Sequence, residues 1–147
     1  MLRGTIWTDG RGTFWIDAGG TSSLIYPSAQ YWLKSGKKDS IMTVFNGQGI
    51  KSGELHFQDD RQHGKSIYFY PSGILKEEQS FSMGKREGIF LGYFENGQKS
   101  LESEYHNDKL NGVFRKWSPE GELLIDAIFA NDTLQKSIYQ KLSLPTK

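Results

Sequence analysis

The strongest constraint on this chain is a spacing of 24 residues. Glycine stands at Gly64, Gly88 and Gly112, and nine positions after each comes a second glycine, at Gly73, Gly97 and Gly121. Five positions into each unit is an aromatic ring (Phe69, Tyr93, Trp117), fourteen positions in an acid (Glu78, Glu102, Asp126), and seventeen positions in another ring (Phe81, Tyr105, Phe129). The frame runs back without a gap to Ser40 through Phe45, Gly49, Glu54, Phe57 and Arg61. A fixed period in this range marks a repeat architecture, in which each unit buries its apolar surface against its neighbours.

Turn chemistry decides what each unit is. Tyr70-Pro71-Ser72-Gly73, Glu95-Asn96-Gly97 and Ser118-Pro119-Glu120-Gly121 are short polar loops whose glycine takes positive φ at no steric cost, and so read as hairpin tips. The opposite connection, as in Asn107-Asp108-Lys109-Leu110-Asn111-Gly112, is again polar and closed by glycine. Each unit is therefore two antiparallel strands, and the expected fold is all-β, an elongated, twisted antiparallel meander of 24-residue hairpins. Aromatics at 14% with seventeen glycines and four prolines suit such a fold better than helices or disorder. The chain divides into a degenerate capping repeat over 1–39, four hairpin repeats over 40–135 and a tail over 136–147, in one domain overall. In 1–39, Gly10, Trp15 and Gly19 keep the spacing of zero, five and nine, and strands are expected near 3–7, 12–17 and 30–34. In the tail, Leu134, Ile138 and Leu142 recur at helical spacing before Pro145, which favours a short capping helix over a last strand.

Strict alternation along strands sorts the side chains into two faces. Counted this way, Phe45, Phe69, Tyr93 and Trp117 share an apolar face with Phe57, Phe81, Tyr105 and Phe129 and with Ile67, Leu91, Leu101 and Ile125. Glu54, Glu78, Glu102 and Asp126 fall on the other, polar face, with expected partners such as Lys76 and Lys116. On that second face Tyr68, Tyr70, Phe90, Phe94 and Phe114 interrupt the polar pattern, and Ile50 and Ile74 extend the patch. An apolar patch ringed by charge is the signature of a protein interface, while cover by 19–34 would make the same rings ordinary core.

At this point the residues resemble a known pattern. Glu102-Ser103-Glu104-Tyr105-His106-Asn107-Asp108-Lys109-Leu110-Asn111-Gly112 is similar to the variant MORN repeat, whose arrays occur in bacterial antitoxin-like proteins of the YwqK type. The resemblance covers 41–135 well and 10–40 weakly. It implies a binding or scaffold module rather than an enzyme, with an antitoxin or immunity role as one instance.

Little else in the chain points to chemistry. A net charge of +1, from 18 basic and 17 acidic side chains, gives no long-range field for nucleic acid or an anionic membrane. No cysteine is present, so disulfides, thiolate zinc sites and a cysteine nucleophile are excluded. His56, His63 and His106 lack metal-ligand spacing, Asp59-Asp60 reads as a turn, Gly47-Gln48-Gly49 reads as a tip rather than a phosphate loop, and no G-x-S-x-G elbow occurs. MLRGTIWTDG contains no apolar run, so a cytoplasmic location is expected, without signal peptide or integral membrane segment. The expected function is thus a non-catalytic protein-binding module without cofactor or metal, acting through Tyr68, Tyr70, Phe90, Phe94 and Phe114 with Glu54, Glu78 and Glu102 beside them. Its partner is an unidentified protein, and its own state is a monomer or an edge-paired homodimer. The rival readings are a carbohydrate or cell-surface binding repeat, and an enzyme with a site around Asp17, Tyr26 and Tyr31.

Overall fold

The structure, a computed structural model, describes residues 6–8, 13–17, 27–34, 37–38 and 40–140, with side chains from 41 to 139. The strands are β1 (Ile6–Thr8), β2 (Thr13–Asp17), β3 (Pro27–Lys34), β4 (Lys37–Lys38), β5 (Ser40–Phe45), β6 (Lys51–Gln58) and β7 (Arg61–Phe69). They continue as β8 (Leu75–Ser82), β9 (Lys85–Arg86), β10 (Gly88–Tyr93), β11 (Lys99–His106), β12 (Lys109–Trp117), β13 (Leu123–Ala130) and β14 (Thr133–Gln140). All pair antiparallel in chain order from β1 to β14, with β4 and β9 as short additions to β3 and β8. This is the all-β meander of hairpins that the 24-residue period predicts.

The two ends of the sheet are built from different turns. At one end each tip is a three-residue loop closed by paired bonds, as where Gly73 N–H donates to Tyr70 O and Tyr70 N–H to Ile74 O, both at 2.8 Å. Gly49, Gly73, Gly97 and Gly121 have φ between 76° and 86°, the left-handed residue that follows a type I turn in such loops. At the other end the connections are two-residue turns with both φ values positive, at Asp59-Asp60, Met83-Gly84, Asn107-Asp108 and Asn131-Asp132. That is the type I′ turn, whose twist matches that of the flanking strands and which Asn, Asp and Gly tolerate best.

These I′ turns stack on one another. Gly84 N–H donates to Gln62 O at 2.7 Å, Asp108 N–H to Arg86 O at 3.0 Å and Asp132 N–H to Leu110 O at 2.9 Å. Side chains repeat the link, since Asp108 Oδ1 accepts from Arg86 N–H and Asp132 Oδ1 from Leu110 N–H, each at 2.8 Å. A further acceptor, the residue just before each repeat glycine, reaches forward to the next turn. His63 takes Met83 N–H at 3.3 Å, Glu87 takes Asn107 N–H at 2.9 Å, and Asn111 takes Asn131 N–H at 3.3 Å. Turn donors that would otherwise depend on solvent are thereby satisfied by the adjoining repeat.

Strict alternation fails at one point per hairpin. Tyr68 pairs with Glu77 but Phe69 with Leu75, so Lys76 is one residue too many on the return strand. Ser52, Ser100 and Leu124 are the same bulge in the other three hairpins. Every residue beyond the bulge therefore changes face relative to a simple count. The expected faces are corrected accordingly, because the row Thr43, Glu54, Ile67, Glu78, Leu91, Glu102, Arg115, Asp126, Tyr139 is continuous across the sheet. The acids thus lie with Ile67 and Leu91, and also with Phe45, Phe69, Tyr93 and Trp117. The second ring column, Phe57, Phe81, Tyr105 and Phe129, lies on the opposite face with Tyr68, Phe90 and Phe114.

That opposite face is the crowded one. Its central rows run Met42, Leu55, Ser66, Gln79 and then Phe90, Ser103, Phe114, Ala127, Ser137. Among the described residues, the buried apolar side chains, Leu55 and Ala127, and the buried hydroxyls, Ser66 and Ser103, are all in these rows. Large rings alternate with small neighbours, and Phe114 meets Phe129 edge to face at a centroid distance of 5.7 Å. The Tyr68 ring covers Gly53, and Phe90 covers Gly92. Among the described residues contacts between elements run chiefly between sheet neighbours, so no second layer dries either face.

The tail corrects a second expectation. Thr133–Gln140 is strand β14, not a helix, paired to β13 from Ala130↔Thr133 to Ile125↔Gln140. Asn131-Asp132 forms the same turn as Asn107-Asp108, and the outer edge of β13 offers a ladder of backbone partners, which outweighs a three-residue helical spacing. Leu142 and Pro145 lie outside the described residues. Lys136 occupies the place of Gly64, Gly88 and Gly112, whose φ values of 94°, 89° and 134° accompany a bulge, in which His56 faces 63–65 and Glu104 faces 111–113. β14 lacks that bulge and instead shows two smaller register shifts.

Candidate functional site

The structure separates the predicted site residues into two sets. Tyr68, Tyr70, Phe90, Phe94 and Phe114 share one face, but it is the crowded face and not the acid-bearing one expected for them; Glu54, Glu78 and Glu102 are on the reverse side. Antiparallel partners share a face, so the pairs Gly53↔Tyr68, Phe90↔Ser103 and Ser103↔Phe114 fix Tyr68, Phe90 and Phe114, with Tyr70 and Phe94 following at even spacing, and Ile67↔Glu78 and Leu91↔Glu102 fix the acids.

On the charged face each acid is engaged. Glu54 pairs with Lys51, Glu78 with Lys65 at 2.6 Å, and Glu102 with Lys99 at 2.8 Å and Arg115 at 3.7 Å. Asp126 takes Arg115 Nε at 3.2 Å. The partners are thus Lys51, Lys65, Lys99 and Arg115 rather than Lys76 and Lys116. The same cations lie over rings, Lys51 above Phe69 at 5.4 Å and Lys99 above Trp117 at 5.3 Å from the centroid. Acids two strands apart are about 9.5 Å from each other, too far to share one ion. The column is a paired, internally neutral ladder.

The crowded face is assembled differently. Tyr70 is held in place, its hydroxyl donating to Tyr93 O at 2.8 Å and Lys76 standing 5.8 Å from its ring centroid. Beside it is a shallow open groove of about 160 Å³ floored by Gly92 and walled by Tyr70, Phe90 and Leu101, with Lys76 and Glu77 at its lip. Lys76 is the bulge residue, so the irregularity that swaps the faces also aims an ammonium group at the groove. Burial pushes the Tyr68 hydroxyl above its ordinary value, reinforced by the Glu77 carboxylate. Ile50 and Ile74, following their tips, are 39% and 37% exposed and extend the apolar surface towards that end.

Simple alternation misses the column Phe57, Phe81, Tyr105 and Phe129, which widens this face, as do Leu101 and Ile125. The structure shows the cause in the ion pairs of Lys51 with Glu54 and Lys99 with Glu102. Ion partners three apart in a strand meet only if a bulge lies between them. Of the residues considered for an enzyme, Asp17 and Tyr31 lie in β2 and β3, whose side chains are not described, and Tyr26 is outside the described residues.

The fold defines an open, single-sheet array of hairpin repeats. The family model of the MORN repeat variant matches the chain at residues 62–82 and 86–107. Each match falls on one hairpin, β7 with β8 and β10 with β11, so the chain carries MORN-variant repeats. No curated protein is significantly similar to it.

Proposed function

We propose that the chain is a non-catalytic protein-binding module that docks its partner on the crowded face. The supporting observation is the distribution of spare interaction capacity. The charged face consumes its acids in ion pairs, whereas the crowded face carries half-buried rings in two columns, apolar rims at Ile50 and Ile74, and no covering layer among the described residues. Aromatic anchors in such patches supply most of the energy of protein interfaces. An antitoxin-like role would be one instance of such a module, resting on the family grouping alone.

The test is capture of protein from native extract by the wild-type chain and by folded Tyr70→Ala and Phe94→Ala variants, with Trp117→Ala on the charged face as the control. Loss of the captured protein in the first two with retention in the third supports this face. Equal capture by all four chains would refute it.

A further inference from the structure

Three Asn-Gly pairs occur in the chain, Asn46-Gly47, Asn96-Gly97 and Asn111-Gly112, and the fold gives each a different environment. Loss of ammonia from such a pair starts when the glycine backbone nitrogen attacks the asparagine Cγ. Glycine obstructs this attack least because it has no Cβ. Two groups then govern the rate: the glycine N–H, which must surrender its proton, and the side-chain carbonyl oxygen, which gathers negative charge in the tetrahedral intermediate.

At position 46 both are favourably placed. Asn46 Oδ1 accepts from Gln48 N–H at 2.9 Å and from Ile50 N–H at 3.0 Å, two fixed donors on the oxygen that becomes an oxyanion. The bonds closing this tip are Asn46 N–H to Ile50 O and Gly49 N–H to Asn46 O, which leave the Gly47 N–H outside the turn's hydrogen bonds. Gly47 is exposed with nothing within 4 Å of where a Cβ would stand.

At position 96 the arrangement is reversed. Gly97 N–H is bound to Phe94 O at 2.9 Å, and the would-be leaving nitrogen, Asn96 Nδ2, donates to Pro119 O at 2.8 Å. Asn96 Oδ1 has one backbone donor, Gln98 N–H at 3.0 Å. Asn111 Oδ1 has a single longer one, Asn131 N–H at 3.3 Å.

We infer that Asn46 is a site of spontaneous covalent modification, closing to a succinimide and reopening as aspartyl or isoaspartyl, faster than Asn96 and Asn111 lose their amides. In the first step a bond forms from Gly47 N to Asn46 Cγ, the Cγ–Nδ2 bond breaks, and the Gly47 proton departs with Nδ2 as ammonia. In the second, solvent water adds to one ring carbonyl and breaks its bond to nitrogen. Attack at the side-chain carbonyl gives aspartyl, and attack at the main-chain carbonyl gives isoaspartyl. No oxidant is required. Asn46, Tyr70 and Phe94 are equivalent tip positions 24 residues apart, so the new carboxylate appears at the end of the row that carries those two rings.

The experiment incubates the folded protein at mildly alkaline pH and follows each pair by peptide mass spectrometry, with enzymatic methylation to count isoaspartate. Asn46 should lose its amide at least about tenfold faster than Asn96, a barrier difference near 1.4 kcal/mol. Gly47→Ala, whose methyl meets nothing in the fold, should suppress the loss. In concentrated urea, where the placed donors disperse, the three rates should converge. Equal rates at Asn46 and Asn96 in the folded chain, an unaffected Gly47→Ala variant, or a bias that persists in urea would each overturn the inference. None of these readouts depends on the binding role proposed above.

Discussion

Removing a hydroxyl should strengthen this protein. Ser66 and Ser103 are 0% and 1% exposed, and neither Oγ has a hydrogen-bond partner among the described residues. A buried, unsatisfied polar group costs about 1–3 kcal/mol. Ser103→Ala keeps the Cβ, withdraws one oxygen from beside Phe90 and Phe114, and reproduces the next repeat, where Ala127 stands 24 residues on at 3% exposure. A gain of about 1 kcal/mol per site is expected, at the lower end because the pocket left by the oxygen offsets part of the benefit. Ser66 and Ser103 are three strands apart, about 14 Å at the usual strand spacing, so their effects should add. The double variant should gain about 2 kcal/mol, or about 4–8 °C in melting midpoint for a chain of this size. Urea titration followed by circular dichroism, paired with a calorimetric scan, reads both quantities. If Ser103→Ala lowers the midpoint, the hydroxyl makes a stabilising contact and the packing account of the crowded face is wrong.

Two further outcomes follow from the turns and bulges. Gly112 has φ of 134° and its Cβ would run into the Glu104 carboxylate, so Gly112→Ala should destabilise by about 1–3 kcal/mol. Adding Glu104→Ala should recover only the steric part, and full recovery in urea titrations would deny any backbone strain. Glu87 accepts Asn107 N–H and, second, pairs with the His106 ring at 2.6 Å, and both hold its carboxyl below the ordinary range. A depressed folded-state value contributes stability above the unfolded glutamate range and loses it as pH falls through the folded value. Glu87→Gln should flatten that acidic limb of a stability-versus-pH curve, and an unchanged limb would remove Glu87 from the acid response.

Much of the fold was legible because turns are written in residue types. Gly73, Gly97 and Gly121 at the tips, and Asn107-Asp108 and Asn131-Asp132 at the opposite end, announce positive φ directly, and the period then dictates pairing. Face assignment was less legible. The bulge residues Ser52, Lys76, Ser100 and Leu124 share no chemistry, since what places them is the backbone twist beside a three-residue loop rather than their side chains. One such residue per hairpin moved the acids away from Tyr68 and Phe90. It also brought Phe81 and Tyr105 to those rings, so the aromatic part of the candidate site was visible and its charged border was not. The tail misled for a related reason. Leu134 and Ile138 have helical spacing, but an open strand edge beside them exerts a stronger demand than local periodicity.

The stacked I′ turns have a consequence for how such a chain changes length. Each described joint repeats one backbone hydrogen bond at a constant offset of 22 residues, and the Arg86–Asp108 and Leu110–Asp132 joints add the same aspartate contact. A duplicated or deleted 24-residue segment would present matching surfaces on both sides of the splice. Reach along the array can therefore grow or shrink in whole modules while the remaining joints stay chemically intact.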